Sequence, residues 1–174
     1  MLACRTGNHR CAQALIRMGA PVNDSTGANE TAIFMACAAG HEACVQTLVT
    51  LGGADVNHLT TVGWTPLMYA CDSGHEKCAR ILIKAGADLY RQTSTGTTAL
   101  MIACKKGHVR CVEALIEAGA ADTEKTDRRG NTAFKLARSY GNHQCGVLLL
   151  AKENASKVLN IAAVSYTHLT LPTT

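Results

Sequence analysis

Apolar residues recur along this chain in pairs that lie one helical turn apart. Residues 44–49 and residues 111–116 each begin and end with such a pair. A helical period of 3.6 residues places both pairs on one face, so each segment is predicted to form an amphipathic helix. A shorter helix is predicted before each of these segments, and it ends near a Gly-His step. The pattern therefore indicates pairs of short helices.

Threonines and glycines mark the ends of these helices. A threonine before each first helix has a side-chain oxygen that can accept an unpaired backbone N–H, so we expect N-caps at Thr31, Thr65, Thr98 and Thr132. Pro66 occupies the first helical position, where its missing N–H costs nothing. Each second helix is followed by a glycine suited to positive φ: Gly19, Gly52, Gly86 and Gly119. The polar stretches between units are too short for another helix and end at Gly63, Gly96 and Gly130, with Asn29 in the equivalent place.

The helix pairs belong to an internal repeat. Residues 103–111 read Ala-Cys-Lys-Lys-Gly-His-Val-Arg-Cys, and residues 36–44 and 70–78 are close relatives of that segment. Residues 3–11 carry Asn8 in the histidine position, and residues 137–145 are the most divergent copy. The first cysteine position falls at 4, 37, 71, 104 and 138, so the units are 33 or 34 residues apart. This period is typical of helical repeat arrays.

The segment Trp-Thr-Pro-Leu-Met-Tyr-Ala at residues 64–70 resembles the Thr-Pro-Leu-His-x-Ala signature of ankyrin repeats. Variants of it begin at Thr31, Thr98 and Thr132, and the resemblance covers roughly residues 1–152. It implies an all-α solenoid of helix-turn-helix units, in which β-hairpin finger loops stand nearly at right angles to the helices. One unit cannot bury both faces of its helices, so neighbouring units must stack.

The repeat divides the chain into units. Residues 1–19 are predicted to be the C-terminal part of a truncated repeat, because Met1 occupies an interior position of a first helix; a half-repeat cap at a genuine start is the alternative. Four repeats follow, at residues 20–52, 53–86, 87–119 and 120–152, the last of them degenerate. Residues 153–164 are expected to form a short capping helix. Residues 165–174 have no repeat register and resemble translated adapter sequence, or else an ordinary terminus.

Cysteine and histidine recur in the spacing Cys-x3-His-x2-Cys, for example at Cys37, His41 and Cys44. Thiolate and imidazole are ligands that zinc prefers, but a structural site needs four ligands and each copy supplies three. The second cysteine also takes an apolar position of the second helix. We therefore expect the cysteines to pack as small apolar side chains and expect no metal site.

The same periodicity argues against catalysis. Every Cys–His pair recurs with the repeat, whereas an active site occurs once, and no phosphate-binding glycine motif is present. We expect no enzyme activity, no cofactor and a monomer. The nine cysteines are odd in number and the first residues lack the pattern of a signal peptide, so a cytoplasmic or nuclear protein is expected. No apolar run is long enough to span a membrane.

Charge is uneven along the chain. Residues 91–140 contain nine Lys or Arg and five Asp or Glu, an excess equal to the net charge of +4 for the whole chain. Such a basic end could attract an acidic partner, although an ordinary solvated helix surface has the same composition. Nucleic acid is a less suitable partner, because the basic residues are not interleaved with stacking aromatics.

The resemblance implies a module that binds a partner protein through a rigid concave surface, or else a regulatory segment of a larger enzyme or channel. The residues expected in that surface vary between repeats, while the capping and stripe positions stay alike. On the fingers and just before the Gly-His steps they are Leu59, Thr61, Val62, Trp64, Asp72, Ser73, Gln92, Ser94, Thr95, Thr97, Lys105, Lys106, Thr126, Arg128, Arg129, Asn131, Ser139 and Tyr140. Trp64 and the pair Arg128 and Arg129 are the expected anchors, since Trp and Arg dominate binding hot spots. Alternatively, the Trp64 ring merely packs on the neighbouring finger.

Overall fold

The computed structural model describes residues 1–120 and 124–167, and within these ranges the chain is built from α-helices without strands. The all-α prediction is thereby confirmed. The helices are α1 (Leu2–Arg5), α2 (His9–Arg17), α3 (Ala32–Ala39), α4 (Glu42–Thr50), α5 (Pro66–Asp72), α6 (Glu76–Lys84), α7 (Ala99–Lys106), α8 (Val109–Glu117), α9 (Ala133–Ser139) and α10 (His143–Thr167).

The helices form two layers, as a stack of helix pairs requires. The first helix of each pair packs on the first helix of the next pair, so α1, α3, α5, α7 and α9 form an inner layer. The second helices pack on one another in the same way, and α2, α4, α6, α8 and α10 form an outer layer. Each unit therefore contacts mainly its neighbours, which is the arrangement of a solenoid.

Threonine caps begin three of the four complete first helices as predicted. The hydroxyl of Thr65 accepts a bond from Met68 N at 3.3 Å, and Thr98 and Thr132 make the equivalent bonds. Thr31 differs, because its buried hydroxyl has no partner among the described residues. At that helix a backbone bond of 3.2 Å from Phe34 N to Thr31 O closes the first turn instead.

Leucines and cysteines at repeated positions fill the space between the layers. Leu48, Leu82, Leu115 and Leu149 occupy the same place in successive second helices, and each is at most 2 % exposed. Eight of the nine cysteines are also buried, and Cys11 on α2 is the exposed one. The cysteines thus act as small apolar residues, as their positions in the apolar stripes predict.

Adjacent units interlock at the Gly-His steps. The Nε2 of His108 donates to the carbonyl oxygen of Asp72 at 3.1 Å, and His41 reaches Arg5 O in the same way. The His108 ring lies directly over Gly74, where a Cβ would come within 2.7 Å of the ring. Gly74 has a φ of +76°, so the position calls for glycine on two grounds: conformation and space.

The last second helix is longer than the repeat predicts. A capping helix was expected at residues 153–164 as a separate element, but α10 continues without a break from His143 to Thr167. The expected non-repeat tail therefore begins inside this helix, since residues 165–167 belong to it. Residues 168–174 of that predicted tail lie outside the described residues. Within the described chain, no helix is long and apolar enough to cross a membrane.

Candidate interaction surface

The loops between repeats are tight turns that project from the inner layer, and we call them fingers. In the finger at residues 93–97, Thr93 N donates to Thr97 O at 3.0 Å and Gly96 N donates to Thr93 O at 2.9 Å. The fingers at residues 26–30, 60–64 and 127–131 repeat both bonds. Each finger is thus a hairpin-like turn closed by two backbone bonds, and it forms no β-ladder within the described chain.

Backbone bonds also join each finger to the next. Thr61 N donates to Ala28 O at 3.2 Å, Ser94 N to Val62 O at 3.1 Å, and Arg128 N to Thr95 O at 3.0 Å. These bonds pair backbone N–H and C=O groups at the finger tips that would otherwise be hydrogen-bonded only to water. The fingers therefore form one continuous, preformed surface together with the ends of the first helices, which we call the finger face.

The predicted binding residues lie on the finger face and are accessible. The exposed ones are Thr61, Val62, Ser73, Gln92, Ser94, Thr95, Lys105, Lys106, Thr126, Arg128, Arg129, Ser139 and Tyr140. Leu59, Trp64, Asp72, Thr97 and Asn131 are partly buried. Some already have partners within the chain. Asp72 forms a salt bridge of 3.1 Å with Lys106, and the Gln92 amide donates to Gly96 O and Thr126 O.

Eight of these residues meet in one groove of about 480 Å³ at the C-terminal end of the finger face. We call it the C-terminal groove; its lining residues are Thr95, Thr97, Lys105, Asp127, Arg128, Arg129, Asn131, Leu136, Ser139 and Tyr140. Two fingers supply one wall, and α7 and α9 supply the other. The Nζ of Lys105 lies 5.3 Å from the centre of the Tyr140 ring, a cation–π distance. The other ten predicted residues lie outside it: Leu59, Thr61, Val62, Trp64, Asp72, Ser73, Gln92, Ser94, Lys106 and Thr126.

The finger beside Arg128 is held by Asp127. Asp127 Oδ1 accepts from Arg129 N at 2.8 Å and from Asn131 N at 2.9 Å, and Oδ2 accepts from Asn131 Nδ2 at 3.1 Å. These bonds favour the charged carboxylate and so lower the pKa of Asp127. The largest contribution comes from the backbone bond that Asn131 donates. The turn thereby fixes the backbone from which both arginines project.

The Trp64 ring is less accessible to a partner protein than a surface tryptophan would be. Its ring meets Tyr69 edge to face at 5.3 Å, and it packs against the apolar core. The Tyr69 hydroxyl in turn donates to the Glu30 carboxylate of the preceding finger. Burial raises the pKa of Tyr69 to about 12, and the bond to Glu30 adds to that shift. The Trp64 ring therefore packs on Tyr69 of α5, whereas Arg128 and Arg129 are exposed.

The cysteines face one another across repeats. Cys71 pairs with Cys111 and Cys104 with Cys145, and in each pair a hydrogen bond between the thiols raises the pKa of the first and lowers that of the second. Burial raises the pKa of Cys44 to about 11. A thiol with a raised pKa stays protonated, which suits packing rather than metal binding or nucleophilic attack. Among the described residues, no cluster of three His, Cys, Asp or Glu side chains converges as a metal site would require.

Asp127 and Leu136 are groove residues that the sequence did not single out. Asp127 stands at the start of an Asp-x-x-Gly turn, a signal for a carboxylate that bonds its own backbone. Leu136 is 8 % exposed and belongs to the apolar face of α9. Its place at the bottom of a groove has no signal in the sequence, because it depends on how α7 and α9 pack.

Comparison with known proteins gives one result. A family model described as "Ankyrin repeats (3 copies)" matches residues 1–93 and again residues 85–161. No curated protein matches the chain. The two family matches together cover most of the sequence, and they overlap at residues 85–93, between the end of α6 and the finger at residues 93–97.

Proposed function

Because this chain belongs to the ankyrin repeat family, whose repeats serve in general as protein-interaction modules, we propose that it binds a partner protein through its finger face. The observation that carries this proposal is the contrast between the finger face and the core of the repeats. Residues that vary from repeat to repeat gather on the finger face, while repeated residues form the core and the bonds between units.

The rigidity of the finger face supports the same proposal. Each finger is closed by its own backbone bonds and joined to the next by another. The surface therefore needs little ordering when a partner arrives, and the loss of conformational entropy that weakens binding by flexible loops is small. Exposed side chains such as Val62 and Ser94 project from a backbone in which Ser94 N donates to Val62 O across the two fingers.

Site-specific photo-crosslinking tests the proposal. The photoreactive residue p-benzoylphenylalanine is placed at Val62 or Ser73 on the finger face, and at Gln46 or Lys84 on the exposed outer helices as matched controls. After irradiation in a lysate of the cells from which the chain comes, we expect the finger-face variants to form an adduct of defined mass that the outer-helix variants lack. Adducts from Gln46 and Lys84 alone would refute the placement of the binding surface.

A further inference from the structure

The cations of the C-terminal groove lack the carboxylate partners that three cations on the outer helices have. On those helices Lys77 pairs with Glu42 at 3.3 Å, Arg80 with Glu117 at 2.7 Å, and Arg110 with Glu113 at 3.5 Å, whereas Lys84 forms no salt bridge within the described chain. In the C-terminal groove, Lys105, Arg128 and Arg129 form no salt bridge with any carboxylate of the described chain. The uneven charge of the sequence is thus concentrated in a groove.

The carboxylate within the groove offsets only part of this positive charge. Asp127 interacts electrostatically with Arg129 and is held by three bonds of 2.8 to 3.1 Å from its own turn. Three cations and one carboxylate leave the groove lining with a net charge of +2. Lys106, beside the groove, is already paired with Asp72. The excess positive charge therefore faces an open cavity, where field lines concentrate and attract negative groups.

The groove also has an apolar component. Leu136 lies at its base, and Tyr140 is 57 % exposed at its edge. A volume of about 480 Å³ lies within the range of roughly 300–1,000 Å³ that is usual for ligand pockets. The Lys105 ammonium lies over one face of the Tyr140 ring, which leaves less of the ring for the stacking that binding of single-stranded nucleic acid requires.

We propose that the C-terminal groove binds an extended acidic peptide segment of the partner. Aspartate or glutamate side chains of the segment pair with Arg128, Arg129 and Lys105, and an intervening aliphatic side chain contacts Leu136 and Tyr140. The planar guanidinium of arginine matches a carboxylate with two parallel bonds, which gives the two arginines the larger share of selectivity. This inference rests on the proposed function, because the segment belongs to the protein partner.

Fluorescence anisotropy with a synthetic peptide tests the inference. The probe is a fluorescein-labelled peptide of about six residues in which a leucine is flanked by glutamate and aspartate, and its comparator carries glutamine and asparagine at those positions. We expect saturable binding of the acidic probe, weakening with added salt, and binding of the neutral comparator at least about tenfold weaker, as the loss of two or three exposed ion pairs implies.

Two double variants locate the binding. Arg128→Ala/Arg129→Ala should weaken binding of the acidic peptide about tenfold, whereas Lys77→Ala/Arg110→Ala, which removes the same charge from the outer helices, should change it less than about twofold. Equal loss in both variants, or displacement of the probe by an equally charged oligonucleotide as readily as by unlabelled peptide, would overturn the inference. Circular dichroism of both variants shows that they are folded.

The inference and the proposed function fail in different experiments. Val62 and Ser73 lie outside the groove, so adducts there without peptide binding would overturn only the acidic groove. Peptide binding with adducts confined to Gln46 and Lys84 would instead overturn the finger face as the partner's main contact.

Discussion

The contact between Gly74 and the His108 ring provides the most direct test of how the repeats hold together. In Gly74→Ala, the new Cβ would lie 2.7 Å from Nδ1, 2.8 Å from Cε1 and 3.1 Å from Cγ of His108. The ring cannot easily move away, because its Nε2 is bonded to Asp72 O at 3.1 Å. The variant must therefore displace the next repeat or lose that bond.

The magnitude follows from two separable contributions. Replacing a glycine of positive φ by alanine lowers the free energy of unfolding by about 1–2 kcal/mol, because alanine disfavours that backbone conformation. The clash adds about 1–3 kcal/mol of overpacking, or about 0.5–1.5 kcal/mol if the ring turns away and gives up its hydrogen bond. We expect Gly74→Ala to lower the free energy of unfolding by about 1.5–5 kcal/mol in all.

Two controls isolate the clash. Gly141 occupies the same place in its repeat with a φ of +72°, yet a Cβ added there would meet no atom of the described residues within 4 Å. Gly86 has a φ of +87° and equally open space in the middle of the chain. Gly141→Ala and Gly86→Ala should therefore show the conformational cost alone, since the entropy that alanine removes from the unfolded chain is the same in each case.

Urea denaturation followed by far-ultraviolet circular dichroism measures all three variants, and an unchanged m-value shows that the same surface is exposed on unfolding. In the background His108→Ala, the extra loss caused by Gly74→Ala should disappear, so the double variant should lose less stability than the sum of the two single variants. The reasoning is refuted if Gly74→Ala is no less stable than Gly86→Ala, or if the coupling with His108 is zero.

Three further predictions concern single side chains. Thr65→Val should lower the free energy of unfolding by about 1 kcal/mol, because the helix loses its cap bond. Thr31→Val should leave that free energy unchanged or raise it, because the buried Thr31 hydroxyl has no partner among the described residues. Equal losses in thermal melts of the two variants would contradict this prediction. In the folded protein, Ellman's reagent should react rapidly with Cys11 alone among the nine cysteines, and the Cys11→Ser variant should show no rapid reaction. Tyr69 should ionise near pH 12 in an ultraviolet titration, and since its pKa is raised from 10.0, the stability that it contributes is full below about pH 10 and is lost as the pH rises toward 12. Tyr69→Phe should abolish that late transition, and a titration curve unchanged by the substitution would show that another tyrosine is responsible.

The sequence was sufficient for the fold because every unit repeats the same local signals. The caps at Thr65 and Thr98 and the glycines with positive φ each specify a helix end from neighbouring residues alone. Thr31 has the same residue type in the same place, yet its ψ is 178° rather than the 162° of Thr65, and its hydroxyl makes no cap bond. The local signal thus predicted the helix at Thr31 correctly, but the cap bond predicted there was wrong.

The candidate site was predictable only in part. The variable positions on the fingers follow from the repeat itself, and they include Arg128 and Arg129. The groove between them and α9 requires two repeats to be placed side by side, so neither Leu136 nor the closing role of Asp127 could be assigned from spacing. The bond between Tyr69 and Glu30 spans 39 residues and joins positions that no periodic pattern relates.

The bonds between repeats also determine how chain length affects folding. Asn23 bonds Gly53 across 30 residues, His41 bonds Arg5 across 36, and Asn142 bonds Cys104 across 38. The entropy lost in closing a loop depends on its length, so each added repeat of about 33 residues incurs the same modest cost. Mean contact separation stays constant while the chain grows, and relative contact order falls. Duplication of a repeat therefore enlarges the recognition surface without introducing the distant pairings that slow the folding of many larger domains.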